Sequence, residues 1–247
     1  MISLPTRPLF MVAGMQLMTV AVGLLLASVL MRSLAAMTWW GPVVAFCCYG
    51  LVATFVVLDL GRHAPHQRFG VANSVTLTRA AVTALLWGVI GERVLGSRAS
   101  ASELEWLLVM AAAAALLLDG IDGWIARRSG MASDFGADFD LEVDSLFALA
   151  LALLVYGTGR IGVWVLTSGL MRYVFVFAGW LWPILAAPLL PRRRRKIICV
   201  IQGGVLIASL APVVPGEVAR CLCLAGLALL AYSFTADVVW LTKVKHA

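Results

Sequence analysis

Long apolar runs, separated only by short polar or Gly/Pro-rich breaks, follow one another along almost the whole chain. Several exceed the roughly 18 apolar residues that mark a helix able to cross a bilayer. Counting runs between breaks predicts spans at 8–31, 39–60, 71–93, 103–125, 139–156, 161–185, 197–213 and 218–241. The pattern therefore predicts an all-α fold, a polytopic membrane helical bundle of about eight transmembrane helices.

Composition supports a membrane protein and excludes a soluble domain. Of the 247 residues, 62% are hydrophobic and 13% charged, against about 45–50% and about 25% in globular proteins. The first apolar run is too long for the core of a secretory signal, and no clear cleavage site follows it, so we expect it to remain as a helix. The five cysteines lie inside apolar runs without metal-ligand spacing, which predicts small packing residues.

Lysine and arginine are distributed unevenly between the two predicted membrane faces. With eight spans, one face carries 12 basic residues and the other carries 5. The first set is Arg7, Arg62, Arg68, Arg127, Arg128, Arg192, Arg193, Arg194, Arg195, Lys196, Lys243 and Lys245. Basic loops stay on the cytoplasmic side, so both termini are expected there. The net charge of +6 fits this bias and anionic lipid headgroups, and no nucleic-acid partner is expected.

One acidic stretch, residues 118–146, contains six aspartates and one glutamate at the junction of two spans. Asp119 and Asp122 stand at i and i+3 on the fourth span. Asp140 and Asp144 stand at i and i+4 on the fifth, which runs back into the membrane. Two antiparallel helices can thus aim four carboxylates at one point, and that arrangement requires a counter-charge.

A divalent metal ion, or two, would supply that counter-charge. Ligands that are all oxygen select a hard cation such as Mg²⁺ or Mn²⁺, and Mg²⁺ commonly completes its coordination with substrate phosphates. Gly120, Gly123 and Gly136 surround the carboxylates and would allow close approach of a ligand or of another backbone. Arg127 is placed to meet a phosphate. The stretch therefore predicts a metal site for a diphosphate substrate.

The same spacing resembles the signature of the CDP-alcohol phosphatidyltransferases, D-x2-D-G-x2-A-R-x8-G-x3-D-x3-D. The matching residues are Asp119, Asp122, Gly123, Ala126, Arg127, Gly136, Asp140 and Asp144. Upstream, Asn73, Thr76 and Arg79 form an N-x2-T-x2-R pattern that resembles the start of the family's first core helix. The resemblance implies a six-helix core at 69–247, preceded by two additional transmembrane helices at 1–68.

Roles for the site residues follow from the resemblance. It implies that Asp119, Asp122 and Asp140 hold the metal, with Asp144 as a further ligand or as the catalytic base for the acceptor hydroxyl. Asp119, Gly123, Ala126 and Arg127 would bind the CDP moiety, and Gly136 would leave room for the nucleotide. Asp134, Asp138 and Glu142 lie outside the signature and are interpreted as solvated or helix-capping residues.

Three further basic residues are candidates for binding the acceptor. Arg172, within the sixth span, resembles the arginine that some family members use to hold the acceptor's phosphate, although it could instead pair with a carboxylate such as Asp237. Arg195 and Lys196 belong to the basic run 192–196, which could equally be a stop signal that contacts acidic lipid. Two basic elements near a metal site predict an acceptor that carries its own phosphate.

The resulting hypothesis is an enzyme of phospholipid biosynthesis. It would transfer a phosphatidyl group from CDP-diacylglycerol to glycerol 3-phosphate or an inositol phosphate and release CMP. Alternative reactions are transfer to serine or choline, or a CDP-choline or CDP-ethanolamine:diacylglycerol transferase. A cation transporter is the rival from another class, but it predicts charges spread through the bilayer depth. The family is usually dimeric, and the short loops favour a bacterial inner membrane, with the active site facing the cytoplasm.

Overall fold

Eight α-helices account for most of the chain in the computed structural model, which describes residues 7–63, 66, 68–96, 102–129, 133–182 and 193–244. No strand occurs within these ranges. The helices are α1 (Arg7–Leu34), α2 (Trp40–Asp59), α3 (Val71–Leu95), α4 (Ser102–Ser129), α5 (Asp134–Gly157), α6 (Leu166–Leu181), α7 (Arg193–Leu210) and α8 (Gly216–Val244). The prediction of an all-α membrane fold is confirmed.

Six helical stretches of the described chain are long and apolar enough to cross a membrane. They are Pro8–Leu34, Trp40–His63, Val71–Leu95, Leu104–Ile121, Val163–Leu181 and Gly216–Thr242. The helices α5 and α7 complete the eight but do not meet that standard. The reason is visible in their sequences, because α5 carries its acidic residues inside the helix and α7 begins with a basic run.

The polar start of α5 explains why its observed bounds differ from the predicted ones. The fifth span was expected to begin near residue 139, but α5 begins at Asp134. The Gly136 N–H donates to the Ser133 hydroxyl at 3.1 Å, which satisfies a helix-terminal donor. An acidic first turn also suits the positive end of the helix dipole. Polar residues here extend the helix beyond its apolar run.

The chain divides into two compact units, Met1–Ala150 and Leu151–Ala247, each described by itself. In the first, α2 lies unusually close to α3. A Cβ at Gly88 would lie 2.8 Å from the Gly41 carbonyl oxygen, and a Cβ at Gly91 would lie 2.5 Å from Val44 Cγ2. Only residues without a side chain allow this approach, which is typical of helix pairs in membranes.

Polar contacts reinforce the packing of the first three helices. Glu92 is fully buried in α3 and accepts hydrogen bonds from the Thr38 amide at 2.9 Å and the Thr38 hydroxyl at 2.8 Å. The Tyr49 hydroxyl of α2 donates to the Leu17 carbonyl of α1 at 2.8 Å. Each bond satisfies a polar group that would be costly to leave unpaired in a membrane. Together they fix α1 and α2 onto the rest of the unit.

In the second unit, one arginine closes the end of α7. Arg160 donates to four backbone carbonyl groups at 2.8–3.3 Å, those of Ser209, Leu210, Ala211 and Val214. The last carbonyls of a helix have no intrahelical partner, so a guanidinium with several donors stabilises this end. At the other end of α7, Arg194 contacts the Asp237 carboxylate of α8 at 2.7 Å.

Candidate active site

Three of the four predicted carboxylates come together in the first unit. Asp119 lies on α4, and Asp140 and Asp144 lie one turn apart on α5. One carboxylate oxygen from each lies within 4.8 Å of the others. The Asp119 side chain is 10% exposed, whereas those of Asp140 and Asp144 are 34% and 41% exposed. We call these three residues the carboxylate cluster; it is buried on the α4 side and open on the α5 side.

Arg79 of α3 supplies the positive charge at this point. Its Nη1 lies 2.5 Å from Asp140 Oδ1, and its Nη2 lies 3.2 Å from Asp119 Oδ1. The same Nη2 donates to Asp144 Oδ1. The Arg79 side chain is 3% exposed, so this is a desolvated guanidinium held by three carboxylates from two other helices. A planar group with five donors is suited to bridging them.

The donor set also fits a divalent cation. Three carboxylate oxygens within 4.8 Å of one another are hard ligands of the kind that Mg²⁺ and Mn²⁺ prefer. Two of the three side chains are partly exposed, so a cation and a phosphate could reach them. Arg79 balances only part of the cluster's negative charge, and the excess favours an additional cation. A divalent metal therefore suits the cluster.

Four signature residues lie along one helix but outside the described side chains. Asp122, Gly123, Ala126 and Arg127 belong to α4. The metal role of Asp122 and the CDP-binding roles of the other three stay predictions.

Gly136 stands where the start of α5 meets the start of α3. A Cβ at Gly136 would lie 2.9 Å from Asn73 Oδ1 and 3.3 Å from Ser133 Oγ. Asn73 is itself held by a 2.6 Å hydrogen bond from its side-chain amide to the Phe69 carbonyl. Close packing against Asn73 thus explains why a glycine suits this position. Its expected role of leaving room for the nucleotide stays a prediction.

The candidate acceptor residues belong to the second unit. Arg172 lies half-buried on α6, and Arg195 and Lys196 lie in the first turn of α7. Arg195 Nε lies 3.6 Å from Asp237 Oδ2, so the buried Asp237 carboxylate contacts both Arg194 and Arg195. One end of the basic run is therefore anchored to α8. The acceptor role of Arg172, Arg195 and Lys196 stays a prediction.

The contact between Arg79 and the carboxylate cluster was not predicted from the sequence. The N-x2-T-x2-R pattern contains Arg79 but does not identify the residues that it contacts. A usable signal was present, because an arginine inside an apolar span needs an anion. The only dense group of acidic residues in the sequence is the 118–146 stretch. Pairing these two facts would have placed Arg79 at the site.

The family model described as CDP-alcohol phosphatidyltransferase matches residues 69–236. No curated protein and no solved structure gave a significant match. The matched residues include Arg79 and the whole carboxylate cluster, and members of this family are phosphotransferases of membrane lipid synthesis that typically use a divalent metal. The chain thus belongs to the CDP-alcohol phosphatidyltransferase family and is an integral membrane phosphotransferase.

Proposed function

We propose that the protein transfers a phosphatidyl group from CDP-diacylglycerol to a phosphorylated alcohol and releases CMP. Family membership supports the general reaction, which is phosphotransfer from a CDP-linked donor onto an alcohol. The observation that carries the proposal is the carboxylate cluster, which joins α4 and α5 within the family-matched residues. Oxygen ligands at this spacing suit a metal that binds a diphosphate.

In this proposal, Asp119, Asp122 and Asp140 hold Mg²⁺ or Mn²⁺, and Asp144 is a further ligand or the base that deprotonates the acceptor. The metal would neutralise the charge on the diphosphate and on the CMP that leaves. Asp119, Gly123, Ala126, Arg127 and Gly136 bind the CDP end of the donor.

The reaction itself forms one phosphorus–oxygen bond and breaks another. The acceptor hydroxyl oxygen attacks the phosphorus that carries the diacylglycerol, and the bond from that phosphorus to the oxygen of CMP breaks. Asp144 takes the proton from the hydroxyl, so CMP leaves as an anion and a phosphodiester is formed. The partial exposure of Asp144 supports this assignment, because a base must be reachable by the acceptor.

For the acceptor, we propose glycerol 3-phosphate first and an inositol phosphate second, bound by Arg172, Arg195 and Lys196. The basic first turn of α7 supports a partner that carries phosphate. Serine or choline as acceptor, and a CDP-choline or CDP-ethanolamine:diacylglycerol transferase, are the alternatives within the enzyme class. In the first alternative the donor, CDP-diacylglycerol, carries the lipid. In the second the lipid, diacylglycerol, is the acceptor.

The wider setting is also part of the proposal. Residues 1–68 form two helices added to a six-helix core at 69–247, a division supported by the start of the family match at residue 69. The active site and both termini face the cytoplasm of a bacterial cell, where CDP-linked donors are made. The enzyme works as a homodimer in the inner membrane.

The decisive experiment supplies purified protein with CDP-diacylglycerol, Mg²⁺ and a panel of alcohols, and identifies the lipid product by mass spectrometry. We expect CMP release only with a phosphorylated polyol, and no product from the Asp140→Asn variant. A product formed from CDP-choline and diacylglycerol would contradict the donor. Cation flux into liposomes without CMP release would instead identify a transporter.

A further inference from the structure

We propose that the two N-terminal helices, which precede the family-matched residues, position the aspartate-bearing helix α5, with His63 as the positioning residue. The inference deepens the proposed function and rests on the proposed metal site. It assigns a positioning role to a part of the chain that lies outside the family match at residues 69–236. The contacts that carry it all lie within the first unit.

A chain of three hydrogen bonds runs from the Arg68 carbonyl through His63 and Ser133 to the first turn of α5. His63 Nε2 lies 2.8 Å from the Arg68 carbonyl oxygen, and Nδ1 lies 2.7 Å from Ser133 Oγ. A carbonyl can only accept, so Nε2 carries the proton in the neutral ring, and Nδ1 then accepts from the Ser133 hydroxyl; this tautomer is assigned from the partners. Ser133 Oγ in turn accepts from the Gly136 N–H at 3.1 Å.

Ser133 is therefore the N-cap of α5, and His63 fixes the direction of its hydroxyl. The imidazole is fully buried and lies edge-on to Phe135, with ring centroids 5.6 Å apart. A buried ring with both nitrogens bonded holds its partners in one geometry. The end of the α2 segment, a 3₁₀ turn at Leu60–His63, thus determines where α5 begins.

Two further contacts join the same parts. Arg62 lies 2.7 Å from the Asp138 carboxylate. Phe55 of α2 stacks on Phe135 and Phe139, with ring centroids 6.4 Å and 6.3 Å away. The contacted residues run from Ser133 to Phe139 and end directly before Asp140.

The position of Asp140 depends on that segment because an α-helix is stiff. Asp140 lies about one turn, or ~5.4 Å, after Gly136. A displaced first turn would move its carboxylate relative to Asp119, which is held on a different helix. Groups that orient metal ligands typically change metal affinity by about 10–100-fold when removed. We assign this orienting role to His63 and Ser133, which act on the carboxylate cluster through the first turn of α5.

The test measures Mn²⁺ binding to the purified full chain by electron paramagnetic resonance, without substrate. His63→Ala should weaken binding about tenfold, and His63→Gln, which can both donate and accept, should recover most of it. Ser133→Ala should match His63→Ala, and the double variant should be no weaker. The matched control is Tyr49→Phe, which removes a buried 2.8 Å hydrogen bond between α2 and α1 that is not part of the His63 chain. It should leave Mn²⁺ affinity unchanged.

A second measurement separates failure of this inference from failure of the proposed metal site. Amide hydrogen exchange at residues 133–140 should accelerate in His63→Ala but not in Tyr49→Phe. Unchanged exchange, or wild-type Mn²⁺ affinity in both His63→Ala and Ser133→Ala while Asp140→Asn abolishes binding, would overturn the positioning role. If Asp140→Asn binds Mn²⁺ normally, the metal site is what fails, and hydrogen exchange alone then decides the positioning of α5.

Discussion

Arg79 Nη2 lies 3.2 Å from Asp119 Oδ1, and the same guanidinium also contacts the carboxylates of Asp140 and Asp144. The arginine comes from α3 and the carboxylates from α4 and α5, so one buried cation holds three helices at the site. Like charges this close raise each other's energy unless a counter-charge is present. Arg79 thus keeps the carboxylates together before any metal or substrate arrives.

The first prediction concerns the removal of this cation. Arg79→Gln leaves the carboxylate cluster without its guanidinium, and breaking a buried ion pair by removing one partner typically costs ~3–5 kcal/mol. We expect a lower Tm in EDTA and a larger rise on addition of Mg²⁺ than in the wild type. Differential scanning fluorimetry in detergent measures both.

The matched control for Arg79 is Arg220→Gln. Arg220 pairs with Glu217 at 3.1 Å at an exposed position, where an ion pair contributes little stability. Its Tm should barely change. If Arg79→Gln has the wild-type Tm in EDTA, the guanidinium does not hold the site together.

The second prediction tests the metal ligands by activity. Replacing Asp119, Asp122, Asp140 or Asp144 with Asn keeps the shape of the side chain but removes its charge. Turnover should fall at least ~10²-fold in each case, because a metal ion supplies several kcal/mol of charge stabilisation. EDTA should have the same effect on the wild type, with recovery on adding Mg²⁺ or Mn²⁺. Full activity of Asp122→Asn would remove that residue from the site.

The sequence was sufficient to predict the helices and the meeting of Asp119 with Asp140 and Asp144. The helices follow from apolar run length, and the meeting follows from the position of the aspartates at the junction of two consecutive spans, with i, i+4 spacing on the second. The contact of Arg79 with these residues depends instead on which helices pack together. A residue some 40 positions upstream of Asp119 becomes a neighbour only through tertiary structure, and periodicity carries no such information.

The positioning role of the first two helices could not be predicted from the sequence either, because it also depends on tertiary contacts. His63 and Ser133 are 70 positions apart, and neither residue type is unusual at the edge of a predicted span. The apolar run begins at Phe139, whereas α5 begins at Asp134 because Ser133 caps it. The capping partner of a helix can be found in sequence, but the histidine that orients the cap cannot.

The third prediction concerns the close packing of α2 on α3. A Cβ at Gly91 would lie 2.5 Å from Val44 Cγ2, so Gly91→Ala forces a shift. Overpacking of this kind costs about 1–3 kcal/mol, and the Tm should fall accordingly. Gly23→Ala is the control, because a Cβ there would meet nothing within 4 Å beyond its chain neighbours and its own helix backbone. A larger loss of Tm in Gly23→Ala than in Gly91→Ala would contradict the observed helix contact.

The fourth prediction is the topology expected from the 12 to 5 distribution of basic residues. Single cysteines are introduced at Arg68 and at Val213, both exposed, in a background with the five native cysteines replaced. A membrane-impermeant thiol reagent added to intact cells should label position 213 and not position 68. Both should react after the cells are opened. Strong labelling at position 68 from outside would reverse the proposed orientation.

The last prediction concerns the acceptor. Arg172 lies half-buried on α6, and a guanidinium is suited to bind a phosphate carried by the acceptor. If Arg172 binds only the incoming alcohol, Arg172→Gln should raise the KM for glycerol 3-phosphate at least about tenfold and leave the KM for CDP-diacylglycerol nearly unchanged. A contact made equally in the ground state and the transition state affects KM without affecting kcat. Steady-state kinetics with each substrate varied in turn separates the two constants, and Arg172→Lys, which keeps the charge, should recover part of the loss. If the KM values for glycerol 3-phosphate and CDP-diacylglycerol increase equally in Arg172→Gln, Arg172 has a structural role. Efficient turnover of an unphosphorylated alcohol, unchanged in Arg172→Gln, would reject the phosphorylated acceptor while leaving the aspartate chemistry intact.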